Sequence, residues 1–172
     1  MMKWQARIPT SRLTRQQGAE LAEFALLFTS LPVFLVLIFG VMDFSRAMYA
    51  YHSLSSAARQ ATRFALVRGN SCTGFPTACP ADADDIKTYV SNEAGIGLDS
   101  TTLFNNTSPK WGPPPSNPTS CGGIFSSTRT ATNSAPGCVV QVQVQYPLTF
   151  SFPFLPSSTV MMSSKSQIVI SQ

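Results

Sequence analysis

Charge is scarce in this chain: only 12% of its 172 residues are Asp, Glu, Lys or Arg. Histidine is scarcer still, with His52 alone. A single histidine leaves no second one for a metal site or a catalytic triad, and no glycine-rich phosphate loop is present. The four cysteines form no C-x-x-C pair, so a zinc site is not indicated either. Asp82, Asp84 and Asp85 form an acidic cluster, which the first turn of a helix explains. We therefore expect no enzyme, no catalytic residue, no cofactor and no bound metal. The net charge of +4 does not imply nucleic acid. Lys3, Arg7, Arg12 and Arg15 all precede Gly18 with no acid among them, and the remaining charges cancel. That is a basic tail, not a basic folded face.

One stretch has no charge at all. "FALLFTSLPVFLVLIFGVM", residues 24–42, is close to the roughly 20 residues a helix needs to cross a hydrocarbon core about 30 Å thick. It is too long for the 7–15-residue apolar core of a secretory signal, by roughly a turn of helix, and no small-x-small cleavage site follows it. We read it as a retained single span. The basic residues before it predict a cytoplasmic N-terminus, with the rest of the chain on the other side of a bacterial inner membrane.

The organisation follows. Residues 1–18 read as a basic leader and 19–68 as one long helix, roughly 75 Å at 1.5 Å per residue. Pro32 should kink the span. Beyond the membrane, Phe44, Ala47, Tyr51, Leu54, Ala58, Ala61 and Ala65 form one helical stripe. His52, Ser56, Arg59 and Arg63 mark another, solvated face. Residues 69–172 read as an exported α+β domain. "ADADDIKTYVSNEAGIG" predicts a short second helix capped by Asp82 or Asp84. Residues 105–137, rich in Pro, Ser and Thr, read as a long loop. "CVVQVQVQY" alternates as a strand with one buried and one wet face, and "LTFSFPF" and "KSQIVIS" offer two more around the turn-forming "LPSST". The expected fold is a long helix packed on a small antiparallel meander that buries Val140, Val142, Val144, Phe150, Phe152, Ile168 and Ile170.

Cys72, Cys79, Cys121 and Cys138 all fall in the exported part, where disulfides are permitted. Four cysteines allow three pairings. The nearest-neighbour set, Cys72–Cys79 and Cys121–Cys138, is favoured because both loops are short and turn-rich.

"RQQGAELAEF", residues 15–24, places Glu20 and Glu23 at the threshold of the apolar run. An acid at the bilayer edge is costly and usually has a partner. Arg12 and Arg15 could reach back to these acids. Alternatively, cutting after Gly18 would create an ammonium on Ala19, one helical turn from Glu23.

"GAELAEF" resembles the cleavage motif of type IVb Flp prepilins. With "EFALL", "FGVMDFSRA" and "AARQATR", residues 18–68 resemble the TadE-like family of pilin-like proteins. The resemblance implies that a prepilin peptidase cuts between Gly18 and Ala19. It implies that Glu23 serves processing or subunit docking, and that Phe24 stands where Flp pilins usually have Tyr. It further implies a minor pilin-like component of the tight-adherence (Tad) system that supports Flp pilus assembly, attachment and biofilm formation. Its partners would be other pilin-like subunits, Tad inner-membrane platform proteins and membrane lipid, with no nucleic acid. Pro32 stands further from Glu23 than the family pattern has it. The competing expectation is an unprocessed single-pass membrane protein carrying a periplasmic binding or adhesin domain.

Overall fold

A computed structural model describes residues 11–69, 72, 74, 79–95, 97–150 and 158–171, without the side chains of 11–17 and 19. Lys3, Arg7 and Phe152, and any pairing through Arg12 or Arg15, lie outside that description. Helix α1 runs from Ser11 to Val67, eight residues earlier than the Ala19 start expected, and continues through Pro32. Its 57 residues reach about 85 Å at 1.5 Å per residue. Three further features surround its C-terminal half. Helix α2 covers Ala83–Glu93, helix α3 covers Ser100–Asn105, and an antiparallel sheet is built from β1 (Thr107–Gly112), β2 (Val139–Phe150) and β3 (Ser158–Val169). The strand order is β1-β2-β3. The architecture is α+β, as the patterning indicated.

The sheet departs from the expected strands in three places, the first being that β3 begins at Ser158, inside the "LPSST" expected to turn and seven residues before "KSQIVIS". "LTF" is not the start of a separate strand: Leu148–Phe150 extend β2, which pairs with β3 without a break from Val139↔Val169 to Phe150↔Ser158. The stretch 105–137 also contains β1, with Pro109 opposite Val142 and Trp111 opposite Val140. An edge strand tolerates a proline, whose missing N–H leaves no ladder partner unsatisfied on the free side. The lack of alternation in "TSPKWG" hid it.

The core lies where α1 meets β2. Ala57, Ala58 and Ala61 are buried against a sheet face whose Val140, Val142 and Val144 are fully buried. Methyl-sized side chains allow the helix axis to approach the sheet closely, and Trp111, Leu103, Ile86 and Val90 fill the flanks. The wet face of β2 is drier than expected, with Val139 and Gln141 both buried. Gln167 Nε2 donates to Gln141 Oε1 at 2.7 Å, which satisfies that amide across the ladder.

The helical stripe needs correction at its lower end. Leu54, Ala58, Ala61 and Ala65 are buried as expected, but Phe44 and Tyr51 are exposed. Asp43 and Ala50, one position earlier in each case, take the inward places. The next residue along a helix is rotated by about 100°, so one register step turns a side chain out of the contact.

Side-chain bonds tie the elements together. Asp82 is the residue that caps α2, and the Asp85 carboxylate accepts from its backbone N–H at 3.0 Å. Gly95 approaches α1 so closely that a Cβ there would collide with the Tyr49 hydroxyl, and its N–H donates to Ser53 Oγ at 3.1 Å. Arg129 Nη1 donates to the carbonyls of Arg68, at 3.2 Å, and Ala81, at 2.9 Å. It thereby clamps the end of α1 to the entrance of α2. Burial lowers the pKa of this guanidinium from its ordinary value, and the Asp82 carboxylate opposes that shift. Disulfides join Cys72 to Cys79 and Cys121 to Cys138. The second ties the 105–137 stretch to the start of β2.

Because Ala58 has no exposed surface, Ala58→Leu should overpack the helix–sheet contact and cost about 1–3 kcal/mol. Ser56→Leu, on the solvated face, should leave the melting temperature unchanged. Thermal unfolding of the detergent-solubilised full chain, followed by near-ultraviolet circular dichroism, checks the contrast.

Candidate functional site

The residues singled out near the N-terminus all lie on α1. Gly18 is exposed, with open space where a Cβ would stand. Its peptide bond to Ala19 falls inside the helix, and Ala19 precedes Glu23 by one turn. Glu20 and Glu23 both point into the surroundings. Phe24 stacks on Phe28, with ring centroids 6.4 Å apart.

From there the helix is apolar on every side. Between Glu20 and Val67, an 18-residue window reaches a mean hydropathy of 2.5, and none of it is buried in the protein. A core helix of a folded domain would be covered. This one presents Leu27, Phe28, Leu31, Val33, Phe34 and Leu37 outward. It is long and apolar enough to cross a membrane. Its hydroxyls are satisfied within the helix: Thr29 Oγ1 donates to the Ala25 carbonyl at 3.0 Å, and Ser45 Oγ to the Val41 carbonyl at 2.8 Å. That is the arrangement a hydrocarbon environment requires, since no water is there to take the proton.

Asp43 marks the change of surroundings. It is the first acid after the apolar run and is buried where α1 meets the folded domain. Arg46, one turn on and exposed, stands 3.7 Å from Asp43 Oδ1. Oδ2 is buried without a hydrogen-bond partner among the described residues. The sequence singled out Asp43 only as part of a motif; what gives it away in the structure is a carboxylate in a helical position that alanines occupy in the following turns.

Further along, His52, Ser56, Arg59 and Arg63 line the solvated side of α1, as expected. Arg59 Nη2 donates to Ser55 Oγ at 2.8 Å. Phe64 and Tyr89 stack at 4.4 Å beneath the Arg68 guanidinium, closing the top of the α1–α2 contact. Burial, and then the charge of Glu93, raises the Tyr89 pKa above its ordinary value. Among the described residues, no three His, Cys, Asp or Glu side chains converge as metal ligands would. The cysteines lie in the folded domain, well separated in sequence from Gly18, Ala19, Glu23 and Phe24. The arrangement offers an apolar helical surface with a charged threshold, suited to lipid and to other helices.

Comparison with known proteins agrees with the motifs. The sequence model of a family described as TadE-like protein matches residues 18–63. The match begins at Gly18, spans the whole apolar run and ends within the alanine face of α1. No curated protein and no solved structure matches the chain.

If the Asp43 carboxylate is held only by its weak pair with an exposed arginine, Asp43→Asn removes a desolvation cost along with that pair. The variant should melt at or above the temperature of the parent chain. A loss of more than about 2 kcal/mol would reveal a strong partner for Oδ2.

Proposed function

We propose that this TadE-like chain is a minor pilin-like subunit of a Tad/Flp type IVb pilus assembly system, anchored by a single span in a bacterial inner membrane. The observation that carries this reading is the coincidence of the family match with the uncovered apolar helix. The matched stretch is the long helix, apolar in its first half and packed into the folded domain in its second. It is the helix that a pilin-like subunit uses first to sit in lipid and then to pack among its neighbours.

The N-terminus lies in the cytoplasm in this reading, in keeping with Lys3, Arg7, Arg12 and Arg15 ahead of the span. The domain after Asp43 lies in the periplasm, where its two disulfides can form. A prepilin peptidase removes residues 1–18. The ammonium freed on Ala19 then sits one turn from Glu23, and the two can neutralise each other within one subunit or between two. Phe24 begins the apolar surface directly after that pair. Other pilin-like subunits and the Tad inner-membrane platform are the partners, and support of adherence and biofilm formation is the outcome. The alternative is an unprocessed single-pass inner-membrane protein with a periplasmic binding or adhesin domain.

Mass spectrometry of the N-terminus of the membrane-purified protein, from hosts with and without prepilin peptidase, separates these readings. A start at Ala19 that depends on the peptidase is expected. A start at Met1 or Met2 in both hosts would make the chain an uncut anchor.

Glu23→Ala should enter the membrane normally but lower the yield of surface pili. Normal piliation with that variant would remove Glu23 from any docking role.

A further inference from the structure

The large apolar side chains that the core leaves out gather at one height along α1. Phe44 is 67% exposed and Tyr51 52% exposed, on the flank of α1 turned away from its inward residues Asp43 and Ala50. Tyr49 is half-exposed on the opposite flank, with its hydroxyl end against Gly95. On the sheet, Val160 and Met161 are 50% and 55% exposed. As adjacent strand residues, they point to opposite faces of β3.

Two observations place these strand residues level with the helical ones. Thr62 Oγ1 lies 3.1 Å from Ser166 Oγ, which fixes the height of β3 against α1. From Ser166 back to Met161 is a drop of roughly 17 Å at about 3.3 Å per residue, equivalent to about eleven residues of helix and so to the turn of Tyr51. A cleft independently brings the same levels together, since Ser45, Arg46 and Tyr49 of α1 line it with Tyr146, Pro147 and Leu148 of β2. Those β2 residues are the register partners of Met162, Met161 and Val160.

The outer face of the sheet changes character along the same direction. Its facing pairs run Gln141↔Gln167, Gln143↔Lys165, Gln145↔Ser163 and then Pro147↔Met161. The polar end is remote from the span and the apolar end lies next to it. No charged residue occurs between Arg129 and Lys165 in the sequence.

We infer that this apolar collar rests in the headgroup layer of the bilayer, so that the folded domain has a lipid contact of its own beside the span. The directions of the side chains favour lipid over a protein partner. They point to different sides of the helix axis yet share one height. A docked protein covers one side, whereas a membrane surface meets every side at one depth. Helix α1 runs without a break from the span into the collar, so the two surfaces are continuous. Tyr51 carries the apolar ring and polar hydroxyl that suit the interfacial layer, and exposed Arg46 can extend its charge toward water or phosphate. The inference rests on the membrane reading of α1.

Single cysteines introduced into the full chain test it, since all four native cysteines are paired. Met161→Cys and Phe44→Cys report on the collar, Gln167→Cys on the remote end of the sheet, and Phe34→Cys on the span. Each is labelled with a small fluorophore and reconstituted into phosphatidylethanolamine–phosphatidylglycerol vesicles carrying a lipid-borne nitroxide near the headgroup. Labels at Met161 and Phe44 should be quenched by the lipid nitroxide several-fold more than the label at Gln167, and less by aqueous iodide. If Phe34 is lipid-quenched but Met161 and Phe44 behave like Gln167, the collar is overturned and the span stands. Collar labels shielded from nitroxide and iodide alike would mean that protein, such as a second copy, covers this surface; that too overturns the inference. Absence of lipid quenching at Phe34 would overturn the span itself.

Discussion

The contact between the alanine face of α1 and the valine face of β2 governs the rest of the structure. Ala57, Ala58 and Ala61 meet Val140, Val142 and Val144 with no exposed surface to spare. Close packing of small against β-branched side chains leaves one relative position for helix and sheet, because larger side chains on either element would push them apart. Once that distance is set, Trp111 and Leu103 have a defined space beside it. The Arg129 clamp and the Cys121–Cys138 bridge then fasten the irregular segment around the finished core. Helix–helix contact adds the Phe64–Tyr89 stack, the buried Ile86 and Val90 and the Lys87–Phe104 contact between α2 and α3.

The same helix serves two surroundings, and the change occurs within a turn of Asp43. Before it the side chains are apolar on all faces; after it they divide into a buried alanine face and a solvated arginine face. A helix of this length keeps its direction through the change, since α1 is continuous across it. Motion or force applied to the apolar half is therefore transmitted to the domain through the backbone, without a flexible linker in between. The inward turn of Asp43 has a physical logic in that setting. A carboxylate tucked against the domain, beside Arg46, is kept away from the lipid that its sequence position would otherwise bring near.

Much of this was legible in the sequence, for reasons that differ by element. The apolar run declares itself because nineteen consecutive uncharged residues have few other uses, and β2 because Val and Gln alternate at the strand period. The motifs around Gly18 and Glu23 fall in the stretch that the family model matches, while the roles given to those two residues are proposals. β1 was not legible: its proline and glycine belong to the vocabulary of turns, and only its pairing with β2 makes it a strand. The lower stripe of α1 was misread for an instructive reason. Hydrophobicity ranks Phe44 and Tyr51 above Asp43 and Ala50, so pattern matching assigned the large residues to the core. Asp43 and Ala50 take the inward positions there, and the aromatics turn outward. Arg129 could not be found at all, because its partners are the backbone carbonyls of Arg68 and Ala81.

That outward turn bears on the proposed function, in which the chain would move from membrane to fibre. Each exposed apolar side chain favours any surroundings other than water, by about 25 cal/mol for every Å² it hides. A span whose side chains are all left exposed or half-exposed by the described residues of its own domain cannot be released into water without losing that term over most of its length. Transfer is feasible only if lipid contacts are exchanged for contacts with neighbouring apolar helices as the subunit moves. Leu27, Phe28, Leu31, Val33, Phe34 and Leu37 stay open, so most of the span remains available to both kinds of neighbour. A collar seated in lipid would add a second, smaller apolar surface to be exchanged in the same step. The barrier to extraction would then depend on Phe44, Tyr51, Val160 and Met161 as well as on the span, and the folded domain would help set how firmly the subunit is held before assembly.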